Sequence, residues 1–436
     1  MKTTKHNITN TAEPIKPGYK KTSVGMIPED WEVKRIGDLG DVVTGSTPKT
    51  TISEYYNGDE LFVSPVDIQE NTYVNQTEKT LTELGIKQGR LIPKNSILFV
   101  CIGSTIGKVS ISGKNLITNQ QINSVIPNKQ THFYYLFNIL KQKAKSIKLL
   151  AANQAVPILN KSEFSKIRLP IPPLPEQKAI ADCLSTWDKA IEKLSALIAA
   201  KKEQKKGLMQ GLFSGELKVE NGELVKIEDE KLWLKGWEEV RLGDIGVFRT
   251  SSVNKKIVES ETKVWLLNYM DVYKNTHITS EIEFQLTSAK DSQIESSNLM
   301  IGDVLFTPSS ETPDDIGHSA VVTENLENVV FSYHLVRFRV KRNLLDIDFS
   351  GHVFNKSDIL NEFSRRATGS TRYTLSLKDF NEITTKLPEL NEQKAISSVL
   401  TTADKEIELL EKKLEIFKIQ KKGLMQVLLT GERRLV

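Results

Sequence analysis

Three guanidinium groups and an aromatic ring fall within one short run, Arg365-Arg366-Ala367-Thr368-Gly369-Ser370-Thr371-Arg372-Tyr373. Arginine neutralises phosphate and offers paired donors to base edges, and small residues between the arginines let a phosphate approach closely. The run therefore suits a polyanion, with Arg365, Arg366, Ser370, Arg372 and Tyr373 as contacts. A solvated charge run is the plainer alternative. Arg249 and His334 are further candidates in the same half of the chain. At an offset of 216 residues the arginines correspond to Leu149, Leu150 and Val156, which carry no charge. There the same task falls to Thr44, Ser46, Lys49, Lys108, Asn119, Gln120, Gln121 and Asn123. Hydroxyl and amide groups of this kind read base edges by hydrogen bonding.

Covalent chemistry finds no matching set of residues. Gly103-Ser104-Thr105-Ile106-Gly107-Lys108 is one residue too short for a phosphate-binding loop, and Val109 stands where a magnesium-holding hydroxyl belongs. A turn between two strands is the better reading. Ile171-Pro172-Pro173 lacks the leading Asn of an adenine methyltransferase tetrapeptide. Pro313-Asp314-Asp315 could open a nuclease motif, but no acidic-x-Lys partner follows at suitable spacing. The six histidines (His6, His132, His277, His318, His334, His352) form no ligand cluster in sequence, so no metal is expected. His318 and His334 suit base contacts at most. No cofactor site is expected on this chain.

These residues need elements to position them, and one element occurs twice. Glu176 to Glu216 and Glu392 to Glu432 align without a gap, with 23 of 41 positions identical. Both copies open Glu-Gln-Lys-Ala-Ile and close on Lys-Lys-Gly-Leu-Met-Gln, Gly and Glu. Apolar residues fall at Ile180, Leu184, Trp187, Ile191, Leu194 and Ile198, and again at Ile396, Leu400, Ala403, Ile407, Leu410, Leu414 and Phe417. Steps alternating 4 and 3 make a heptad seam, so each copy is a long helix packed as in a coiled coil. Pro172, Pro173, Pro175 and Pro388 stand at the helix entrances, and Gly207 and Gly423 mark where each helix is expected to fray or bend. Two matching seams in one chain predict an antiparallel pair and a pseudo-twofold monomer.

The chain divides on this pattern into a polar tail (1–22), a first domain (23–172), a first long helix (173–214), a linker (215–232), a second domain (233–388) and a second long helix (389–431). The fold class is α+β, with two mixed domains joined by the helix pair. Short β-branched runs (Leu61 to Val63, Ile97 to Cys101, Val109 to Ile111, Val329 to Ser332, Val336 to Val340) read as strands, and Phe133 to Lys148 as a helix. Trp31 to Gly40 matches Trp237 to Gly246, but elsewhere the domains diverge. Repeated helices with unlike domains suggest two different targets.

Composition bounds the class. Hydrophobic residues make up 39% and charged residues 26%, and no run is apolar enough to span a bilayer. The first twenty residues lack a signal-peptide core. Cys101 and Cys183 are the only cysteines, which fits a reducing cytoplasm. Net charge is +4 overall, but residues 20–170 carry +6 and residues 231–388 carry −3 by count. The second domain must therefore bind any polyanion through a local patch.

The order of parts resembles the specificity (S) subunit of type I restriction–modification enzymes. Leu174-Pro175-Glu176-Gln177-Lys178-Ala179-Ile180 and Leu390-Asn391-Glu392-Gln393-Lys394-Ala395-Ile396 carry the resemblance, with Lys205 to Gln210, Lys421 to Gln426, Gly18-Tyr19-Lys20 and Ile27 to Glu32. It covers about Gly18 to Leu435. It implies two target recognition domains that read the halves of an asymmetric bipartite DNA site, with the helices setting their spacing. It also implies partners: double-stranded DNA, two methyltransferase (M) subunits and restriction/translocase (R) subunits. S-adenosylmethionine, ATP and magnesium would sit on those partners, which methylate adenine and cut. Docking of the M subunits is expected on outward helix faces through Gln177, Lys178, Leu208, Met209, Gln393, Lys394, Leu424 and Met425. The competing reading is a coiled-coil scaffold that binds two protein partners.

Overall fold

The computed structural model describes residues 16–69, 71–151, 157–341 and 344–435. Residues 1–15 of the expected tail, and Val156, lie outside the described residues. The chain forms two compact units, Met1–Ser195 with Lys412–Val436, and Ala196–Glu411. Each holds one mixed domain and a stretch of both long helices.

Both domains have the same sheet plan despite their divergent sequences. The first has a five-stranded sheet in the order Gly40–Thr44, Ile122–Pro127, Ile97–Val100, Val109–Ser112, Tyr73–Val74. The second repeats it with Gly246–Thr250, Val336–Val340, Val304–Phe306, Ser319–Val322, His277–Ile278. In both, the last pairing is parallel and the others antiparallel. A three-stranded sheet completes each domain, centred on Tyr56–Val63 or Thr262–Leu267. Central strands such as Ile97–Val100 are buried at every position, which is why they read as unbroken apolar runs. The expected helix is present as Phe133–Leu150. At the corresponding place the second domain has two shorter helices, Ile347–Val353 and Ser357–Arg366.

The match between Trp31 and Trp237 has a packing reason. Glu32–Arg35 pairs with Arg168–Ile171, and Glu238–Arg241 pairs with Thr384–Leu387. The start and end of each domain thus meet at a long-helix entrance. There Trp31 Nε1 donates to Glu176 Oε2 (2.9 Å), and Trp237 Nε1 donates to Glu392 Oε1 (3.2 Å). Arg434 also donates to Glu176 and forms a fork with Asp30 in the first unit.

The adjacent glutamines are a correction to the expected docking face. Gln177 and Gln393 are buried, each 2% exposed. Gln177 Oε1 accepts from the His132 amide (2.8 Å), and its Nε2 donates to the carbonyls of Pro172 (3.0 Å) and Gln130 (3.2 Å). Gln393 does the same with Asp346 (2.8 Å), Pro388 (2.9 Å) and Leu344 (3.3 Å). A primary amide matches one free helix-start donor and two free carbonyls at once.

The long helices run Leu174–Ser214 and Leu390–Leu428. They pass straight through Gly207 and Gly423, which have open space around them. The stops are Gly215 (φ 80°) and Gly431 (φ 74°), in the left-handed conformation that terminates helices. The stretch after the first stop, expected as a linker, forms a hairpin of Leu217–Glu220 with Glu223–Lys226, turned by Asn221-Gly222.

Within each unit the helices lie antiparallel on their seam. Ile180, Leu184, Ile396 and Leu400 are fully buried. In the first unit the Trp187 and Phe417 rings meet edge to face at 5.5 Å, and Lys421 pairs with Asp188. In the second, Lys205 pairs with Asp404 and Lys201 with Glu406. Lys421–Asp188 and Lys205–Asp404 are the same pair, 216 positions apart.

Candidate nucleic-acid interface

In the first domain, strand register gathers most of the expected polar residues. Thr44 stands opposite Asn123, and its Oγ1 donates to Asn123 Oδ1 at 2.7 Å. The next residue must be Gly45, because a Cβ there would lie 2.1 Å from the Asn119 carbonyl oxygen. The Ser46 amide then bonds Thr118 O (2.8 Å), and Thr47 Oγ1 donates to Gln120 Oε1 (2.6 Å). Asn119 Nδ2 donates to Gln121 Oε1 at 3.0 Å. Thr44, Ser46, Asn119, Gln120 and Gln121 therefore share one patch. Asn123 supports it from below, at 3% exposure. The Cys101 thiol beside it is inert, pushed up to about 12 by burial against a smaller opposing effect of Asn123.

Arg90 was not singled out in sequence, yet it belongs here. Its Nη1 donates to Thr44 O (2.6 Å), and its amide to Ser46 Oγ (3.2 Å). It lies about 45 residues from the loop it braces, so no local motif marks it. Lys49 is exposed one turn further on. Lys108 Nζ donates to Pro65 O at 3.4 Å. Gly103-Ser104-Thr105-Ile106-Gly107-Lys108 is the expected turn between two strands.

In the second domain the arginine run is split by its partners. Arg366 is committed to Glu362 (2.9 Å) and Glu382 (2.9 Å), and the Glu362 bond, with the others, raises its pKa. It holds the helix Ser357–Arg366 in place and is not free for phosphate. Arg365 is 78% exposed and only loosely paired, 3.7 Å from Glu362. Arg372 is exposed, with Nη2 donating to Ser309 Oγ at 3.0 Å. Ser309–Ser310 pairs with Tyr373–Thr374, so the half-buried Tyr373 anchors this turn. Gly369 and the exposed Ser370 form its tip. A Cβ on Gly369 would meet the Arg372 carbonyl at 2.1 Å.

Topology brings further groups to Arg372. Partial burial lowers the His334 pKa, and the charges of Arg372 and Lys255 add to it. The Arg372 charge also opposes the upward shift that burial imposes on Tyr269. Tyr269 and Tyr273 stack at 6.0 Å, one helical turn apart. Tyr273 OH donates to Asp315 Oδ1 (3.1 Å), and His318 Nε2 lies 2.9 Å from the same oxygen. Arg249 is exposed on Gly246–Thr250, opposite Arg337. Asp315 was weighed in sequence only as part of a nuclease motif, and Lys255, Tyr269 and Tyr273 were missed. Of these three, only the tyrosines carry a sequence signal, their i, i+4 spacing.

The expected docking residues separate in the same way. Lys178 and Lys394 are exposed. Leu208 and Met209 pack on the core of the second unit, and Leu424 and Met425 on that of the first. Met425 O also accepts from Gln142 Nε2 at 3.0 Å. These four are partly buried against the cores and do not form an outward docking face. Among the described residues, no three His, Cys, Asp or Glu side chains are placed to hold a metal ion. No helix among them is long and apolar enough to cross a membrane.

The chain matches the type I restriction modification DNA specificity domain twice, over residues 28–201 and 234–417. The chain belongs to the type I restriction–modification specificity subunits. It is 29% identical to the type I restriction enzyme MjaIX specificity subunit of Methanocaldococcus jannaschii, over 79% of this chain and 85% of that one. It is 30% identical to a putative MjaX specificity subunit of the same organism, over 95% of this chain and 96% of that one. The fold is also that of the solved S subunit from M. genitalium (TM-score 0.55, 17% identity, 91% and 96% covered). A structure solved for assembly of the type I R-M system gives a TM-score of 0.57 at 15% identity, covering 93% and 99%. Specificity subunits give such enzymes their DNA sequence specificity and have no catalytic activity of their own. Family membership thus displaces the scaffold reading.

Proposed function

We propose that each recognition domain reads one half of an asymmetric bipartite DNA site, and that the paired helices set the distance between halves. The observation that carries this is the contrast between the units. Their sheets, Trp–Glu contacts, glutamine cradles and Lys–Asp clamps repeat. Their binding faces do not: hydroxyls and amides around Thr44 and Gln121 in one, Arg372, His334, Tyr269 and Arg249 in the other. Shared framework with unlike reading groups suits two different half-sites. In this reading, two M subunits use S-adenosylmethionine to methylate adenine within the site. R subunits add ATP- and magnesium-dependent restriction. The S chain carries no cofactor and works in the cytoplasm, where its two thiols stay reduced.

Docking of the M subunits falls, in this proposal, on side chains the domains leave free. Lys178 and Lys394 remain candidates. Exposed apolar residues on the long helices join them: Ile416 (52%) and Ile419 (61%) in the first unit, Leu197 (44%) and Leu409 (68%) in the second. The test is methylation mapping of a genome carrying this S chain with its M subunits. Two short defined sequences separated by a fixed undefined spacer are expected. A single undivided site would overturn the bipartite reading, and unchanged methylation without the S chain would overturn the assignment itself.

A further inference from the structure

Asp315 is an anomaly on a face meant for DNA. A carboxylate near phosphates raises the free energy of binding, unless it meets a donor that only a base can supply. The exocyclic amino groups of cytosine and adenine are such donors in the major groove. Asp315 is also held as a reading group must be. Its Oδ1 accepts from Tyr273 OH (3.1 Å) and faces His318 Nε2 (2.9 Å), while Oδ2 lies 3.2 Å from Tyr273 OH.

The loop beneath is fixed at its ends. The Thr307 amide bonds His318 O (2.9 Å), and the Gly317 amide bonds Thr307 O (3.0 Å). Gly317 takes φ 82°, and a Cβ there would lie 2.4 Å from the Phe363 ring. This geometry sets the loop against the core and leaves the Asp315 side chain 46% exposed. Tyr269, stacked on Tyr273, links it to the Arg372 surface.

We propose that Asp315 reads one base in the half-site of the second domain, accepting from a cytosine N4 or adenine N6 amino group, with Tyr273 and His318 as positioning residues. This rests on the DNA-reading assignment above. It makes sense of the Pro313-Asp314-Asp315 segment without nuclease chemistry.

The test uses the full S chain assembled with its M subunits, and duplexes bearing the methylation-mapped site with every single-base change. The wild-type complex must first discriminate among these duplexes. If it does not, the DNA-reading assignment fails, not this proposal. Given wild-type discrimination, Asp315→Ala should lower discrimination about tenfold or more at one base pair in one half-site, and nowhere else. The slope of log affinity against log salt should stay unchanged, because no phosphate contact is lost. Asp315→Asn, nearly isosteric, should tolerate an acceptor-bearing base at that same position, and it carries the test if the alanine variant assembles poorly. A specificity profile identical to wild type would overturn the proposal. So would uniform weakening across all sequences with a changed salt slope.

Discussion

Single side chains decide whether the Glu-Gln motif at each helix start is structural or a docking signal. Gln393 satisfies one amide and two carbonyls inside the second unit. Gln393→Ala would strip the buried Pro388 carbonyl of this donor and also remove the partly buried bonds to the Asp346 amide and the Leu344 carbonyl, and should cost about 2 kcal/mol of stability in denaturant unfolding. The neighbouring Lys394→Ala, being exposed, should stay within about 0.5 kcal/mol. Equal effects would place Gln393 outside the framework. His352 gives a residue-scale prediction in pH. It is buried, and burial first, then the Lys205 charge and His277, push it down to about 2. Asp404, 3.9 Å from Nδ1, and Thr401 also face it. The folded state thus keeps it neutral while the unfolded chain protonates near 6.5. Stability should be full above about pH 6.5 and fall by up to about 1.4 kcal/mol per pH unit below it, toward the folded value. In the first unit Asn138 fills the corresponding helix position, six residues after the amide held by the glutamine. His352→Asn should flatten that acid-side slope in unfolding measured from pH 7 to 5. An unchanged slope would assign it to other groups, His277 among them.

At the scale of elements, the helices were legible and the sheets were not. Ile180, Leu184, Ile396 and Leu400 announced the seam because each heptad repeats the same demand for burial. Gly207 and Gly423 drew the expectation of a fray or bend, since glycine in a helix interior looks like a break. Gly215 and Gly431 stop it because only they reach positive φ. Gly207→Ala and Gly423→Ala should therefore each stabilise the chain by about 1 kcal/mol, measured by thermal unfolding, because a helix gains from Ala at an open position. Gly215→Ala should destabilise it, since a Cβ there lies 2.5 Å from the Leu234 amide nitrogen. The shared five-stranded plan was hidden because strands of two to six residues carry little periodicity. The reading face was half legible. Arg372 and Ser370 lie in one sequence run, but Tyr269, Tyr273, Asp315 and His334 reach them only through strand order. Arg366 misled because its acidic partner Glu382 sits 16 residues away and pairs only in the fold.

For the whole molecule, the claim at stake is that helix length sets the spacing of the half-sites. The two units divide after Ser195 and after Glu411, points 216 residues apart on the repeated helices. Inserting one heptad at each point keeps the seam in phase, because seven residues restore the same face. It lengthens each helix by about 10 Å at 1.5 Å per residue. On B-DNA at about 3.4 Å per base pair, that corresponds to about three base pairs of added spacer. Both half-sites should keep their sequences, because neither recognition domain changes. Three base pairs also turn the duplex by nearly a third of its helical repeat. Some of the added length will therefore be absorbed by twist in the helix pair or the DNA, and the spacer should grow by two to three base pairs. Methylation mapping of the double-insertion complex reads this directly. Insertion into one helix alone should unpair the seam, expose Ile180 or Leu400, and abolish assembly. An active double-insertion complex with an unchanged spacer would show that something other than the helices measures the distance.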